Sequence, residues 1–568
     1  MKKTRLGKLL SLALVTFLLA SMLPVTSFAA SDEKALQTNS KMQKYVEAMQ
    51  PGWNLGNTLD AVGDDETAWG NPVATKELIQ QVAKQGFKSI RIPITWGQHM
   101  EGDTINPLFL DRIEEVVKWS LDSGLYVMIN VHHDSWMWIS GMEKKHDEVL
   151  ARYNAIWTQV ADRFKDYSDK VSFESINEPR FTDGGMQDEA LMFQMVKELN
   201  LSFHKIVRES GGKNDTRPLV IPSLETSPTQ VRMDELYKTM QEMKDTNLIA
   251  TVHFYGFWPF SVNVAGYTTF EKDTKNDITT TFDNVYNTFV AKGIPVIVGE
   301  VGLLGFDRHT GVIEQGEKLK FFEYLMSYMK EKKVTWMLWD NGQHFNRKTY
   351  QWSDTELSSL LLASVKTRSS NAESDRIQWE KGTALTDAKV KLNLNGNKLT
   401  SLSVDGKKLK EKTDYTLTGE DLTIKAATLK KLMASGKLGV NATIKATFNK
   451  GVDWNFYVIA YQTPKLSNVT GETSSFRIPT AFNGDQLATM EAVYEAGGNA
   501  GPHNWTSFKE FDVTFLPLYD KNEISLTSTF FNEVNDGKVT LKFHFWSGKV
   551  VTYTIEKKGT TVTGTASK

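Results

Sequence analysis

Two glutamates far apart in the chain share one local setting. Glu178, in Asn177-Glu178-Pro179, and Glu300, in Gly299-Glu300, each closely follow a short apolar run. A pair of opposed carboxyl groups suits glycosidic hydrolysis, because one protonates the leaving oxygen while the other attacks the anomeric carbon or activates water. Which of these the second acid does depends on separation, about 5 to 5.5 Å for a nucleophile and 6.5 to 9.5 Å for a base, and the sequence leaves both open. The two acids need different protonation states near neutral pH, so their surroundings must push their pKa values apart. Arg91 and Tyr255 are expected to hold Glu300 ionised, whereas apolar surroundings and the nearby charge of Glu300 are expected to keep Glu178 protonated. Other polar residues also follow apolar runs: His132-His133-Asp134, His253-Phe254-Tyr255 and Trp339-Asp340. A metal on His132-His133-Asp134 is disfavoured, since adjacent strand residues point to opposite faces and no third ligand converges.

Positioning so many polar groups at one rim requires a scaffold whose strands all end on the same side. Eight apolar runs qualify, from Trp53-Asn54-Leu55-Gly56 through Ile90-Arg91-Ile92, 127–131, 171–176, 219–221, 248–252 and 296–298 to Thr335-Trp336-Met337-Leu338. Between them, stretches such as 76–85, 109–123, 151–164 and 317–332 carry apolar residues every three or four positions, the period of crossover helices. The chain is therefore expected to be α/β, a (β/α)8 TIM barrel over 30–368, with chemistry at the C-terminal ends of its strands. An open doubly wound sheet is the alternative, but no Gly-x-Gly-x-x-Gly follows the first run. Beyond Arg368-Ser369-Ser370-Asn371 the texture changes to short alternating runs with turns such as Asn395-Gly396-Asn397. These predict two all-β sandwich modules, 369–462 and 463–568, with aromatic strands in the second at 511–515 and 543–546. The short connections near Ser370 and Thr463 predict fixed rather than freely tumbling modules.

The barrel region resembles glycoside hydrolase family 5, and within it the subfamily 4 endoglucanases. Asn177-Glu178-Pro179-Arg180 is similar to the family's acid/base motif, Val298-Gly299-Glu300-Val301-Gly302 to its nucleophile motif, and Gly52 to Asp60 to its opening strand. The resemblance implies Glu178 as acid/base and Glu300 as nucleophile, with net retention through a glycosyl-enzyme ester. It also implies that Asn177 binds the sugar 2-hydroxyl and that Arg91 and Tyr255 orient Glu300. His253 would tune Glu178, His132 and His133 would hold sugar hydroxyls, and Trp339 would stack under the ring. Trp53, Trp96, Trp136, Trp138 and Trp258 are further stacking candidates, balanced against core packing. The first appended segment resembles an immunoglobulin-like X2 module, which implies a spacer. The last resembles carbohydrate-binding module family 46, which implies glucan binding, with Trp505 as its stacking residue and Trp546 as a core residue within a strand.

The chain has 568 residues, 40% hydrophobic and 24% charged, which excludes disorder and an extended coiled coil. Lys and Arg number 66 against 68 acidic residues, so there is no basic footprint for nucleic acid. Lys2, Lys3, Arg5 and Lys8 precede an apolar run from Leu9 to Leu23, then Ser27-Phe28-Ala29: residues 1–29 read as a signal peptide rather than a membrane span. A secreted, extracellular protein without a single Cys suggests a bacterial source and excludes disulfides and thiolate chemistry. The expectation is a monomeric endo-β-1,4-glucanase acting on β-glucan, including mixed-linkage glucan and xyloglucan, without metal, cofactor, nucleic-acid or membrane partner. Mannan or xylan as backbone, and an inert wall-attached carbohydrate-binding barrel, are the alternatives.

Overall fold

Eight short parallel strands close into a barrel in the order β1-β8-β7-β6-β5-β4-β3-β2, where β1 is Gly52–Asn54, β2 Ser89–Ile92, β3 Tyr126–Asn130, β4 Val171–Glu174, β5 Leu219–Pro222, β6 Leu248–Phe254, β7 Val296–Val301 and β8 Thr335–Leu338. The computed structural model describes residues 41–181 and 188–567, so the expected signal peptide at 1–29 lies outside the described residues. Every residue of these strands except Tyr126 is buried, because helices cover one face and the barrel interior the other. That double burial is why the strands read as continuous apolar runs.

Local chemistry starts and stops the helices. Helix α1 (Lys76–Gln85) begins where the Thr75 hydroxyl accepts from the Leu78 amide, buries Leu78, Ile79 and Val82, and ends at Gly86 in the left-handed region. Helix α2 (Pro107–Asp122) starts on a proline behind an Asn106 cap. Helix α3 (His146–Phe164) begins five residues before the apolar period predicted, since its first turn is polar and exposed. Among the described residues no helix is long and apolar enough to cross a membrane.

Two β-sandwiches follow. The first pairs a four-stranded with a five-stranded sheet between Asn371 and Tyr461, and the second does the same between Lys465 and Ala566. Two expected strands are corrected. Residues 512–514 form a turn with Asp512 at φ 66°, and the strand begins only at Phe515. Trp546 lies in the turn after the strand Gly537–Phe545, half-buried beneath the Arg376 guanidinium, rather than within an apolar strand.

Polar contacts tie the three bodies together. Asn455 Nδ2 donates to Glu356 at 2.6 Å and Asn397 Nδ2 to the Arg368 carbonyl at 3.0 Å across the first junction. Arg376 donates to Gln486 at 2.8 Å across the second. The last module also reaches back to the barrel, where Asn263 donates to the Ala488 carbonyl at 2.9 Å and Arg308 pairs with Glu510 at 2.7 Å.

Candidate active site

Arg91, fully buried on β2, organises the floor of the barrel mouth. Its Nε meets Glu174 Oε2 at 2.8 Å and its Nη1 meets Glu300 Oε1 at 2.8 Å, while Nη2 donates to Asn177 Oδ1 at 2.8 Å and Nη1 also reaches Asn54 Oδ1 at 3.0 Å. The second oxygen of Glu300 accepts from the Tyr255 hydroxyl at 2.7 Å. Both carboxylate oxygens are thus fixed by donors that do not leave. Burial, followed by the charge of Glu300, pushes the Tyr255 phenol well above its ordinary range, so it remains a donor at any working pH.

Glu300 owes its aim to a bulge. Val252 pairs with Val298, but the next pair is His253 with Glu300, so Gly299 is an extra residue in β7. The same residue breaks register with β8 between Trp336 and Leu338. Such bulges re-aim side chains beside active sites.

Glu178 follows β4 with φ 38°, an unusual backbone for a residue with a side chain. Two contacts hold it: its amide donates to Thr226 Oγ1 at 3.0 Å, and the Glu225 amide donates to the Pro179 carbonyl at 2.8 Å. Its carboxylate lies 3.0 Å from His253 Nδ1 and 2.9 Å from Arg180 Nη2. His253 Nδ1 is also 3.5 Å from Glu300 Oε2, and one oxygen of each glutamate lies within 4.8 Å of the other. The expectation of apolar surroundings that keep Glu178 protonated is overturned here. Burial does push its pKa up, but the hydrogen bond and charge of His253, then Arg180 and Arg91, more than offset it and hold Glu178 below the usual carboxylate range.

His132 and His133 lie just past the end of β3, where strand alternation no longer applies, and their rings stand 4.5 Å apart. Burial, with the charges of His133 and Arg91, holds His132 well below the ordinary imidazole range, and its Nε2 is 3.9 Å from Glu300 Oε1. Asp134 turns away to accept from the Trp96 and Gly97 amides at 2.8 and 2.6 Å, and Asp60 takes its place, 3.2 Å from His133 Nε2. Asp60, His132 and His133 therefore bring potential ligand atoms within 4.8 Å of one another, as do Glu178, His253 and Glu300. In the first set His133 Nδ1 already accepts from Trp136 Nε1 at 2.9 Å, and the second is the carboxylate pair itself.

The aromatic candidates divide. Trp53 and Trp96 are buried, donating to Asp340 Oδ2 and the Asn130 carbonyl at 2.8 Å each, so they are framework rather than sugar platforms. Trp138 is half-buried, its indole bound to Asp134 at 2.7 Å and covered by Arg152. Trp136 and Trp258 are open at 44% and 40%. Trp339 lies parallel to His132 at 5.9 Å, over Gly56, where any Cβ would strike its ring at 2.7 Å. Trp505 is 59% exposed beside His503, whose ring packs edge-on against Trp258 at 5.4 Å.

Sequence reasoning missed Glu174, Asn130, Asn54, Thr226 and the exposed Trp69, whose ring lies 5.0 Å from His133. A signal existed for Glu174, since an acid inside a strand buried on both faces must have a partner.

A closed parallel barrel with two facing glutamates at the C-terminal rim, and exposed tryptophans packed beside His133 and His503, describes a glycoside hydrolase. Residues 53–345 match the family model described as Cellulase (glycosyl hydrolase family 5), while 373–458 and 462–565 match models described as Carbohydrate binding domain X2 and Carbohydrate binding domain (CBM46). The chain belongs to glycosyl hydrolase family 5 and is an endoglucanase with two further modules. It is 65% identical to Endoglucanase B of Paenibacillus lautus, covering 100% of both chains. The tri-modular endo-β-1,4-glucanase B of Bacillus halodurans superimposes with TM-score 0.91 at 55% identity, over 93% of this chain and 99% of that one. A tri-modular subfamily 4 endo-β-1,4-glucanase of Bacillus licheniformis, complexed with cellotetraose, does so with TM-score 0.79 at 30% identity, over 92% and 99%.

Proposed function

We propose that this protein is a secreted, monomeric bacterial enzyme that cleaves internal β-1,4 bonds of cellulose, mixed-linkage glucan and xyloglucan with retention of configuration. The observation that carries the mechanism is the closeness of Glu178 and Glu300, one oxygen of each lying within 4.8 Å of the other, which fits the short separation of a nucleophile better than the wide one of a base. Glu300, its oxygens held by Arg91 and Tyr255, attacks C1. Glu178 protonates the departing oxygen and, ionised, later takes a proton from the water that cleaves the ester. His253 and Arg180 favour the ionised form needed in that second step. A sugar that displaces the half-buried Arg180 favours the protonated form needed in the first. Asn177 keeps its Nδ2 for the sugar 2-hydroxyl because its Oδ1 is occupied by Arg91. His132, His133 and Trp339 line the position of the attacked ring.

Glu178→Ala is expected to lower kcat/KM, which reports formation of the ester, by about 10²- to 10⁴-fold on β-glucan, and far less on an aryl cellobioside whose phenolate leaves without protonation. Equal losses on both would refute the acid role. The product from a reduced-end-labelled cellotetraose tests the stereochemistry: a β-anomer by NMR within the first minutes supports retention, an α-anomer refutes it.

The final module borders the groove through His503 and Trp505 next to Trp258. The loop that carries Trp505 is pinned by buried Lys509, whose Nζ donates to the Pro502 and Thr506 carbonyls at 3.0 and 2.9 Å. We read Trp505 as a stacking platform for long or branched chains. Trp505→Ala is expected to reduce kcat/KM on xyloglucan by about fivefold and to leave cellotetraose unchanged. Equal effects on both substrates would sink that reading.

A further inference from the structure

His253 has two ring nitrogens, and only one faces the carboxylate pair. The other, Nε2, points inward and is buried with no hydrogen-bond partner in the protein. Two buried atoms beside it share that condition, Glu174 Oε1 and Thr251 Oγ1. All three surround the extra residue of the β7 bulge: a Cβ on Gly299 would stand 3.0 Å from Thr251 Oγ1, 3.2 Å from His253 Nε2 and 3.5 Å from Glu174 Oε1. Glycine keeps this small polar space clear of side chain.

We infer that a single buried water bridges Glu174, Thr251 and His253 against Gly299, and that Glu174 and Thr251 thereby act as positioning residues that set the tautomer of His253. Buried waters characteristically make about three hydrogen bonds to otherwise unsatisfied groups. The donor count agrees. Glu174 Oε2 already accepts from Arg91 Nε and Asn130 Nδ2 at 2.8 Å each, which leaves Oε1 a bare acceptor. Thr251 has one hydroxyl proton to give. A water accepting from Thr251 and donating to Glu174 and to Nε2 satisfies every atom, provided that Nε2 carries no proton. The ring proton then resides on Nδ1, 3.0 Å from Glu178 Oε1. The charged and titratable groups that face the ring or act on it and on Glu178 are Glu178 and Glu300 at Nδ1, Glu174 across Gly299, and Arg91, Arg180, His132 and Tyr255 beyond them. The strand-core carboxylate of Glu174 thus acts on Glu178 through a water and an imidazole.

The kinetic part of this inference rests on Glu178 as acid/base; the tautomer does not. Long-range ¹H–¹⁵N correlation spectra of the whole ¹⁵N-labelled chain should give the Nδ1–H pattern for His253 in the wild type. Thr251→Val, which keeps volume and removes the hydroxyl, should lose that single pattern, and Thr251→Ser should retain it. Loss of one hydrogen bond at this site should lower kcat/KM about tenfold in the Val variant, with the pH limb belonging to Glu178 moved upward and serine restoring both. An Nε2–H wild type, or an unaltered tautomer in Thr251→Val, would overturn the water bridge. A changed tautomer with wild-type kinetics would overturn the positioning role. An inert Glu178→Ala substitution would instead remove the acid/base reading and leave the tautomer assignment standing.

Discussion

Glu300→Ala is expected to reduce turnover of soluble β-glucan by at least about 10⁴-fold, the scale on which removing a covalent nucleophile acts. Binding should survive, because the tryptophans and the Asn177 and histidine donors are untouched. The missing carboxylate leaves room for a small anion. With azide added and an activated aryl cellobioside as substrate, the variant should form an α-glycosyl azide, as azide takes the place of the carboxylate on that face. Hydrolysis retained above a hundredth of the wild-type rate, or a β-glycosyl azide, would show that Glu300 does not bond to the sugar.

The second large effect is expected at Arg91. Its guanidinium has no solvent exposure and is the common partner of Glu174 and Glu300. Arg91→Met fills similar volume but leaves two buried carboxylates facing each other without a cation, a loss of about 3–5 kcal/mol in unfolding free energy. Denaturant titration of the isolated variant measures this directly. Activity should fall with it, since Glu300 loses one of its two orienting donors. Arg91→Lys should rescue little of either, because a point charge cannot reach Glu174, Glu300, Asn177 and Asn54 at once. A variant as stable as wild type would mean that the core carboxylates are neutral or otherwise compensated.

Barrel and site were legible to different depths. The eight strands could be read because burial on both faces writes an unbroken apolar run, and strand ends could be read because polar residues interrupt it abruptly. That reading brought Arg91, Asn177, Glu178, His253, Tyr255 and Glu300 to one rim, where the structure has them in direct contact. Direction of a side chain is another matter. Trp53 lies within β1 and Trp96 four residues beyond β2, close enough to the strand ends to read as sugar platforms, yet their indoles turn inward to Asp340 and to the Asn130 carbonyl. Nothing in a one-dimensional pattern separates the two orientations. The protonation expected for Glu178 failed for a related reason: His253 and Arg180 come close only through a backbone at positive φ, which no residue type at that position announces. The bulge at Gly299 was equally hidden, since one glycine before a glutamate reads the same in a regular strand. In the last module the Asp512 turn was hidden by flanking phenylalanines that belong to the core on either side of it.

The junction of Trp258, His503 and Glu510 with Arg308 has a consequence for biogenesis. The polypeptide completes both acids, Glu178 and Glu300, by position 300 and supplies His503 and Glu510 only near the end of synthesis. A nascent or proteolytically shortened product lacking the final hundred or so residues would hold a complete set of reacting groups in a cropped trough. Such a fragment should still nick short soluble chains, so a culture in which the tail is clipped would drift toward small oligomers without losing its chemistry.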